Sequence, residues 1–200
     1  MTTWMPTDRQ IRTLHERYAP TADAFDLVHT HCEIVCQVVE QLLAGLDHTL
    51  DVDLLRAGSL LHDIGVYRLY DPSGVLDHKS YIRHGVLGYA LLRDLGYPEA
   101  LCRFCSHHTG MGLSRDDVLG QGLPLPVDDY LADSDEERLV MYADKFHSKT
   151  TPPVFVTAVS YASTVRRYGE DKVARFASMV ERFGEPDLAP LVRHYRHGLI

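Results

Sequence analysis

Apolar residues recur at steps of three and four along most of the chain, the period of an α-helix with one buried face. The clearest stretch covers residues 22–46 and predicts one long helix. Its apolar positions are Ile34, Val35, Val38, Val39, Leu42 and Leu43. Because no two segments show a convincing strand pair, the pattern predicts an all-α fold, a single-domain helical bundle.

Capping residues place the boundaries of the helices in the first third of the chain. Thr7 can cap a first helix that reaches about Tyr18, where Pro20 ends it. After the long helix, Asp51 or Asp53 begins another, which runs through an apolar stretch to residues 62–63. The glycine at position 65 is expected to stop it, and residues 66–80 are expected to form a loop.

The same signals predict the remaining helices, over about residues 81–95, 98–108, 114–119 and 134–147 and, in two or three pieces, 154–198. Ser134 begins the fourth of these with a capping box, because Glu137 follows three residues later. Breaks in the last segment are expected near residues 168–169 and 184–186, where glycine or proline occurs.

Composition places the chain among ordinary globular proteins. Its 200 residues are 45% hydrophobic and 24% charged, which fits one domain with a sizeable core. The net charge of −8 gives no basic field, so we expect no stable nucleic-acid binding. No apolar run approaches the ~20 residues of a membrane span, and the N-terminal residues lack signal-peptide features, so a cytoplasmic location is expected. The oligomeric state is left open, and a homodimer is compatible with the sequence.

Four cysteines offer two interpretations. Cys32 and Cys36 share a helix face, and Cys102 and Cys105 form a CxxC pair on another helix. A zinc site would need a zinc-ribbon framework with turn glycines, which the spacing lacks. We therefore expect buried free thiols.

The strongest chemical signal is His62 next to Asp63 at the end of an apolar stretch. An imidazole and a carboxylate in that arrangement can bind one metal ion together. The residues placed to join them are His31, His84, His108 and Asp144. Imidazole and carboxylate without thiolate suit Fe, Mn, Zn, Co or Ni. We expect one or two divalent ions, with Asp63 as the natural bridge because a carboxylate has two oxygens.

Neighbouring histidines compete for two of these positions. His29 lies about 200° around the helix from His31, so both cannot face one ion, and we choose His31. Of His107 and His108 only one is expected to face inward, and His108 is favoured because it directly precedes the TGMG turn.

Asp144 and the other histidines have simpler interpretations too. Asp144 lies in an apolar helical stretch and would be costly to bury unpaired, so it needs either a metal ion or a cation such as Lys145 or an arginine. The histidines assigned to the surface are His15, His48, His194 and His197.

Five segments together resemble the HD-domain superfamily of metal-dependent phosphohydrolases. They are HTHCEIV, LLHDIG, YIRHGVLGYALLRDLG, HHTGMG and YADKF, and they span about residues 25–150. A GLPLP segment before an acidic capping helix is similar to that of small HDIG-type members. The resemblance implies an HD-type helical bundle over this range. It does not cover the tail, whose helical C-terminal extension over about 151–200 is predicted from periodicity alone.

The resemblance also implies roles for individual residues. By it, His31, His62, Asp63 and Asp144 are the core metal ligands. His84 and His108 match the second-metal ligands of two-metal members. Asp63 then also counts as a catalytic residue, because it would hold the ion or ions that act on the substrate.

Two departures from the family bear on the substrate. Many HDIG members have a lysine after the motif, whereas this chain continues with Val66 and Tyr67. The following loop is expected to supply the substrate-binding charges, with Arg68 and Lys79 ranked first and His78 as general acid to the leaving group. The other cations considered are Arg83, Lys145 and Lys149. The chain also lacks a GYP-type signature, so a cyclic dinucleotide substrate is not favoured.

Three functions are compatible with these residues. The first is hydrolysis of a phosphoester of a nucleotide or other small phosphorylated metabolite by metal-activated water. The second is a mixed-valent di-iron oxygenase, which would use the same six ligands. The third is a non-catalytic nucleotide or metabolite sensor, which the retention of all six ligands disfavours.

Overall fold

The structure is a computed structural model that describes residues 4–200 as a bundle of α-helices with short 3-10 turns. Its α-helices are α1 (Asp8–Tyr18), α2 (Ala22–Ala44), α3 (Val52–Leu61), α4 (His84–Asp94), α5 (Glu99–Ser106), α6 (Arg115–Gly120), α7 (Asp135–Ala143), α8 (Ala158–Val165), α9 (Glu170–Phe183) and α10 (Ala189–Tyr195). The 3-10 turns are Ile64–Leu69, His78–Arg83, Asp144–Phe146 and Arg166–Tyr168. The predicted all-α class is confirmed. Over these residues, none of the helices combines the length and the apolar character that a bilayer crossing demands.

Predicted capping residues begin several helices. The Thr7 hydroxyl accepts from the Gln10 amide, and the Gln10 side-chain oxygen accepts from the Thr7 amide, which completes a capping box. The Ser134 hydroxyl accepts from the Glu137 amide, as predicted. The Glu137 carboxylate, however, binds the Asp133 amide and the side chain of Arg103, so only half of the predicted box forms.

Helix α2 lies at the centre of the bundle. It packs against α3 and α7, and its apolar positions at three- and four-residue steps are buried, including Ile34, Val35 and Val38 at 0% exposure. His31 lies on the same buried side of α2. A central helix that is apolar on this side thus carries the His31 side chain into the interior.

A small sheet was not predicted. It has the order β1 (His147–Ser148), β2 (Val154–Phe155) and β3 (Gly198–Leu199), with β1 antiparallel and β3 parallel to β2. The expectation that the chain has no strand pairs is therefore wrong. Strands of two residues are too short to produce the alternation by which strands are predicted.

The C-terminal segment after residue 157 is helical, as predicted. Its breaks lie at Gly169 and Gly184, which both have positive φ angles. The segment packs on α7, where the Tyr142 ring lies 5.9 Å from that of Phe183 and the Tyr142 hydroxyl donates to the Gly184 carbonyl. These contacts make the extension part of the same compact unit.

Gly65 does not stop a helix by itself, which corrects the sequence-based expectation. Helix α3 already ends at Leu61, and Gly65 lies inside the 3-10 turn that follows. A Cβ atom at Gly65 would overlap the His84 carbonyl and come within 2.7 Å of the Gly88 Cα. Glycine is required here because the turn that follows α3 crosses α4 at backbone distance.

Replacing Gly65 with alanine should lower the free energy of unfolding by about 3 kcal/mol, because the added Cβ meets rigid backbone. Chemical denaturation of the purified variant measures this. Gly120→Ala is the matched control, since a Cβ there meets nothing within 4 Å. Equal stability of the two variants would contradict the close approach of the turn and α4.

Candidate metal centre

Helix ends supply most of the polar residues at the centre of the bundle. His62 and Asp63 directly follow α3, His84 begins α4, and Asp144 follows α7. His108 comes two residues after the end of α5. His31 is the exception, because it lies in the middle of α2. The helices thus point their ends at one interior position.

We call His31, His62, Asp63 and Asp144 the first cluster. His31 Nε2 lies 2.9 Å from Asp144 Oδ1, 3.2 Å from His62 Nε2 and 3.3 Å from Asp63 Oδ2. Ligand atoms about 2.1 Å from one ion in tetrahedral geometry are about 3.4 Å apart. The spacing of the first cluster therefore fits four ligands of one metal ion.

We call Asp63, His84 and His108 the second cluster. His84 Nε2 lies 3.0 Å from His108 Nε2, and Asp63 Oδ1 lies 3.4 Å and 3.5 Å from these two nitrogens. One carboxylate oxygen of Asp63 faces each cluster. The residue that joins the clusters is thus the predicted bridge.

The hydrogen bonds of the rings determine which nitrogens carry protons. The Nδ1 atoms of His62, His84 and His108 lie 2.7–2.8 Å from the carbonyl oxygens of Ser59, Tyr81 and Phe104, respectively. A carbonyl only accepts, so each Nδ1 carries a proton and donates. In a neutral ring with this arrangement, Nε2 has a lone pair.

Facing lone pairs favour a cation between them. The Nε2 atoms of His84 and His108 point at each other at 3.0 Å, a contact that two lone pairs make unfavourable. Asp63 Oδ1 beside them is the one buried side-chain oxygen or nitrogen without a hydrogen-bond partner among the described residues. An unpartnered buried carboxylate oxygen is costly, and a metal ion would satisfy all three atoms.

Burial and charge set the protonation of the clusters. Burial lowers the pKa of His31 and of His84 to about 4, so both rings are neutral at pH 7. Burial also acts to lower the pKa of His62, but the Asp63 and Asp144 carboxylates hold it well above its ordinary value. The first cluster therefore already favours a positive charge at its centre.

Both carboxylates are ionised. Burial acts to raise the pKa of Asp63 and of Asp144, but the nearby cations hold each well below its ordinary value. For Asp63 the cation is Lys149, whose ammonium donates to Oδ2. For Asp144 it is Lys145, whose ammonium lies 2.6 Å from Oδ2 and also donates to the His108 carbonyl.

His31 differs from the other cluster histidines in its Nδ1 partner. Its Nδ1 lies 2.8 Å from Nδ1 of His147, and His147 Nε2 lies 2.9 Å from Nδ1 of His197. His147 is 5% exposed, and burial lowers its pKa to about 2. Three histidines therefore form a hydrogen-bonded chain that leads from the first cluster to the C-terminal segment.

The structure brings together all six predicted ligands. The choices between neighbours also agree with it: His29 turns away to Phe25 and Glu33, and His107 bonds to Ser106 and to the Arg103 carbonyl. Whether the six residues bind metal remains a proposal.

The predicted substrate-binding residues lie elsewhere. His78 and Lys79 are exposed, and exposed Arg68 stacks on the ring of Tyr18 at 5.4 Å. Arg83 is exposed as well. The residues that line the cavity beside the clusters are Asp63, Tyr81, Ile82, His84, His108, Thr109, Gly110, Asp144 and Lys149. The cation at the cavity is thus Lys149, which sequence analysis ranked below Arg68 and Lys79.

Three histidines assigned to the surface are not fully exposed, His15, His48 and His197. His15 is completely buried and bonds to the Tyr67 hydroxyl and the Leu60 carbonyl, which joins α1 to α3. His197 is half-buried against His147. The sequence carries one local signal for the residues beside the first cluster. Asp144, Lys145, His147 and Lys149 follow an apolar helix at short steps.

The four cysteines are buried free thiols, as expected.

Comparison with known proteins identifies the matching part of the chain. The family model described as HD domain matches residues 28–149. This range includes both clusters and Lys149 and leaves His197 outside.

Curated relatives match over part of their length. An uncharacterized protein of Methanocaldococcus jannaschii is 35% identical over 117 residues, which are 57% of this chain and 62% of that protein. A tRNA (cytidine(56)-2'-O)-methyltransferase of Picrophilus torridus is 31% identical over 126 residues, 63% of this chain and 33% of that enzyme. The chain thus spans less than two thirds of the length of either relative.

Solved structures share the fold. The HD domain of the L. monocytogenes phosphodiesterase PgpH superposes with a TM-score of 0.52 at 12% identity, covering 94% of this chain and 100% of that domain. Its complex with cyclic-di-AMP gives a TM-score of 0.52 at 13% identity over 84% of this chain and 86% of that one. At these identities the likeness concerns the fold alone.

Replacing His108 with alanine should remove one of two metal ions per chain, because His108 Nε2 faces Asp63 Oδ1 and His84 Nε2. Elemental analysis of protein purified and dialysed against metal gives the stoichiometry. His107→Ala is the matched control and should keep both ions. Loss of an ion from the control alone would reverse the assignment.

Proposed function

Because the chain belongs to the HD-domain family, we propose that it is a metal-dependent phosphohydrolase that acts on a small phosphorylated substrate, a nucleotide or another metabolite. One observation carries the proposal: the two oxygens of buried Asp63 face two separate groups of ring nitrogens. This arrangement suits a pair of divalent ions held by one carboxylate. Fe, Mn, Zn, Co and Ni are all compatible with such ligands.

Bound metal would supply two effects, a lowered pKa of water and polarisation of a phosphoryl oxygen. The residues of the first cluster would hold one ion and those of the second cluster the other. The backbone carbonyls behind His62, His84 and His108 orient these rings, so their Nε2 atoms stay directed at the centre.

The cavity beside the clusters is where the substrate would bind. It has a volume of about 240 Å³, below the range of about 300–1,000 Å³ typical of drug-sized ligands. A phosphoryl group with a small part of its ester fits such a space. The remainder of a nucleotide would extend past Ile82 and Gly110 toward solvent.

Lys149 is the cation that this chain offers to the phosphoryl group. Burial acts to lower the pKa of Lys149, but Asp63 raises it, so the ammonium stays charged. The ammonium already donates to Asp63 Oδ2 and has further donors for a substrate oxygen. It would occupy the role expected of Arg68 and Lys79 and neutralise charge that develops in the transition state.

The direct test is turnover by metal-reconstituted protein. Fe, Mn, Zn, Co and Ni forms would be incubated with a panel of nucleoside monophosphates, sugar phosphates and phosphodiesters, and released phosphate measured. We expect hydrolysis that stops when metal is removed by chelation and returns when it is restored. Oxygen consumption by the iron form without phosphate release would instead establish the oxygenase alternative. Tight binding of a nucleotide without either reaction would establish a sensor.

Replacing Lys149 with methionine should lower kcat/KM about 100-fold, because it removes a charged donor from the substrate cavity while keeping the side-chain length. Steady-state kinetics at full metal occupancy measures the effect. The matched control is Lys79→Met, an exposed lysine outside the cavity, which should stay within about twofold of the parent. If Lys79→Met loses more kcat/KM than Lys149→Met, the loop after His62 and Asp63 binds the phosphoryl group instead.

A further inference from the structure

We propose that His147 and His197 form a positioning pair that holds the Nδ1 proton of His31, so that the C-terminal segment supplies part of the first metal site. The inference rests on the metal site of the proposed function. Neither residue faces an ion in this scheme. Both act through His31.

The position of His31 in α2 explains why it needs a side-chain partner. His62 and His108 lie just after helices, where the last carbonyls of the helix have no intrahelical partner and are free to accept from Nδ1. His31 lies mid-helix, where the backbone carbonyls are engaged in the helical bonds. A metal-ligating histidine still needs an acceptor for its other nitrogen. His147 Nδ1, 2.8 Å away, provides it.

The direction of the proton chain follows from this geometry. If His31 Nε2 binds metal, its proton is on Nδ1 and must be donated to a lone pair on His147 Nδ1. The His147 proton is then on Nε2, from where it is donated to His197 Nδ1 at 2.9 Å. His197 thus selects the tautomer of His147 that can accept from His31.

The small sheet holds the two histidines together. His147 lies in β1 opposite Phe155 of β2, and His197 immediately precedes β3, which pairs with β2 on the other side. The three rings are packed, with Phe155 5.0 Å from His147 and 5.9 Å from His197. The ring centroids of His147 and His31 lie 5.2 Å apart at an interplanar angle of 30°, as the hydrogen bond between their edges requires. The sheet therefore fixes a contact between the C-terminal residues and the first cluster.

Zinc affinity tests the acceptor role. Chelator competition would compare the parent protein with His147→Phe, which keeps an aromatic ring but has no acceptor, and with His147→Asn, whose Oδ1 can stand in for Nδ1. We expect His147→Phe to bind one of the two zinc ions 10- to 100-fold more weakly and His147→Asn to recover most of the loss. His194→Ala, an exposed histidine on the neighbouring α10, is the control and should bind as the parent does.

His197→Phe provides a second variant at a half-buried position, in case His147→Phe does not fold. It should weaken the same zinc ion by a smaller factor, because His147 keeps its place but loses its tautomer partner. If zinc affinity is the same in the parent protein, His147→Phe and His197→Phe, the positioning role is refuted while the metal site stands. If the parent binds no zinc, the metal site and this inference both fail.

Nitrogen-15 NMR of the histidines in zinc-loaded protein supplies a readout that packing alone would not change. We expect His147 to be protonated on Nε2, whereas the rings of His31, His62, His84 and His108 are protonated on Nδ1. A His147 ring protonated on Nδ1 would overturn the inference. The His197→Phe variant should show His147 as a mixture of the two tautomers.

Discussion

A single buried carboxylate sets the conditions for the rest of this structure. Asp63 is 1% exposed, ionised and directed at ring nitrogens on both sides. A charge in that position must be compensated, since an isolated carboxylate in an apolar interior costs far more than a protein of this size gains from folding. Lys149 compensates one oxygen, and the other has no hydrogen-bond partner within the described part of the chain. A cation bound between the clusters would compensate this second oxygen.

Helix ends lower the free-energy cost of burying such a polar site in an otherwise apolar bundle. Carbonyls that are unpaired at the end of a helix accept hydrogen bonds from Nδ1 of cluster histidines. One hydrogen bond thus satisfies both the buried carbonyl and the buried ring N–H. The same arrangement turns each Nε2 toward the centre. Close approach of the backbones at Gly65 and Gly88 then brings the end of α3 to the start of α4, where His84 lies. The positions of the ligand side chains thus depend on contacts between individual backbone atoms.

Local patterns in the sequence predict what depends on local structure. The caps at Thr7 and Ser134, the buried face of α2 and the ordered series from His31 to Asp144 are read from spacing, and the structure agrees with them. His84 and His108 are candidate ligands from the residues themselves, and the family resemblance assigns both to a second metal ion. Contacts between distant segments are different. Lys149 reaches Asp63 across 86 positions of sequence, and His147 meets His197 across 50.

Such contacts depend on how distant segments pack in the folded bundle. The strands of the small sheet beside them are too short to show the alternation of polar and apolar residues that predicts a strand. Burial of His15 has the same cause, because its partners on α3 and in the turn after it are more than 40 residues away. The loop that follows His62 and Asp63 was expected to bind the substrate because it is close to these residues in sequence. In three dimensions its cations, Arg68 and Lys79, face solvent.

Metal stoichiometry of an Asp63→Ala variant tests the central claim most directly. The parent protein, Asp63→Ala and a control with exposed Asp47 replaced by alanine would be loaded with zinc, dialysed and analysed for zinc per chain, with circular dichroism to confirm the helical fold. Because Asp63 belongs to both clusters, we predict that Asp63→Ala retains neither ion while the Asp47→Ala control keeps both. Full zinc content in Asp63→Ala would show that Asp63 is not a ligand, and retention of one ion at parental affinity would show that the two clusters do not share it.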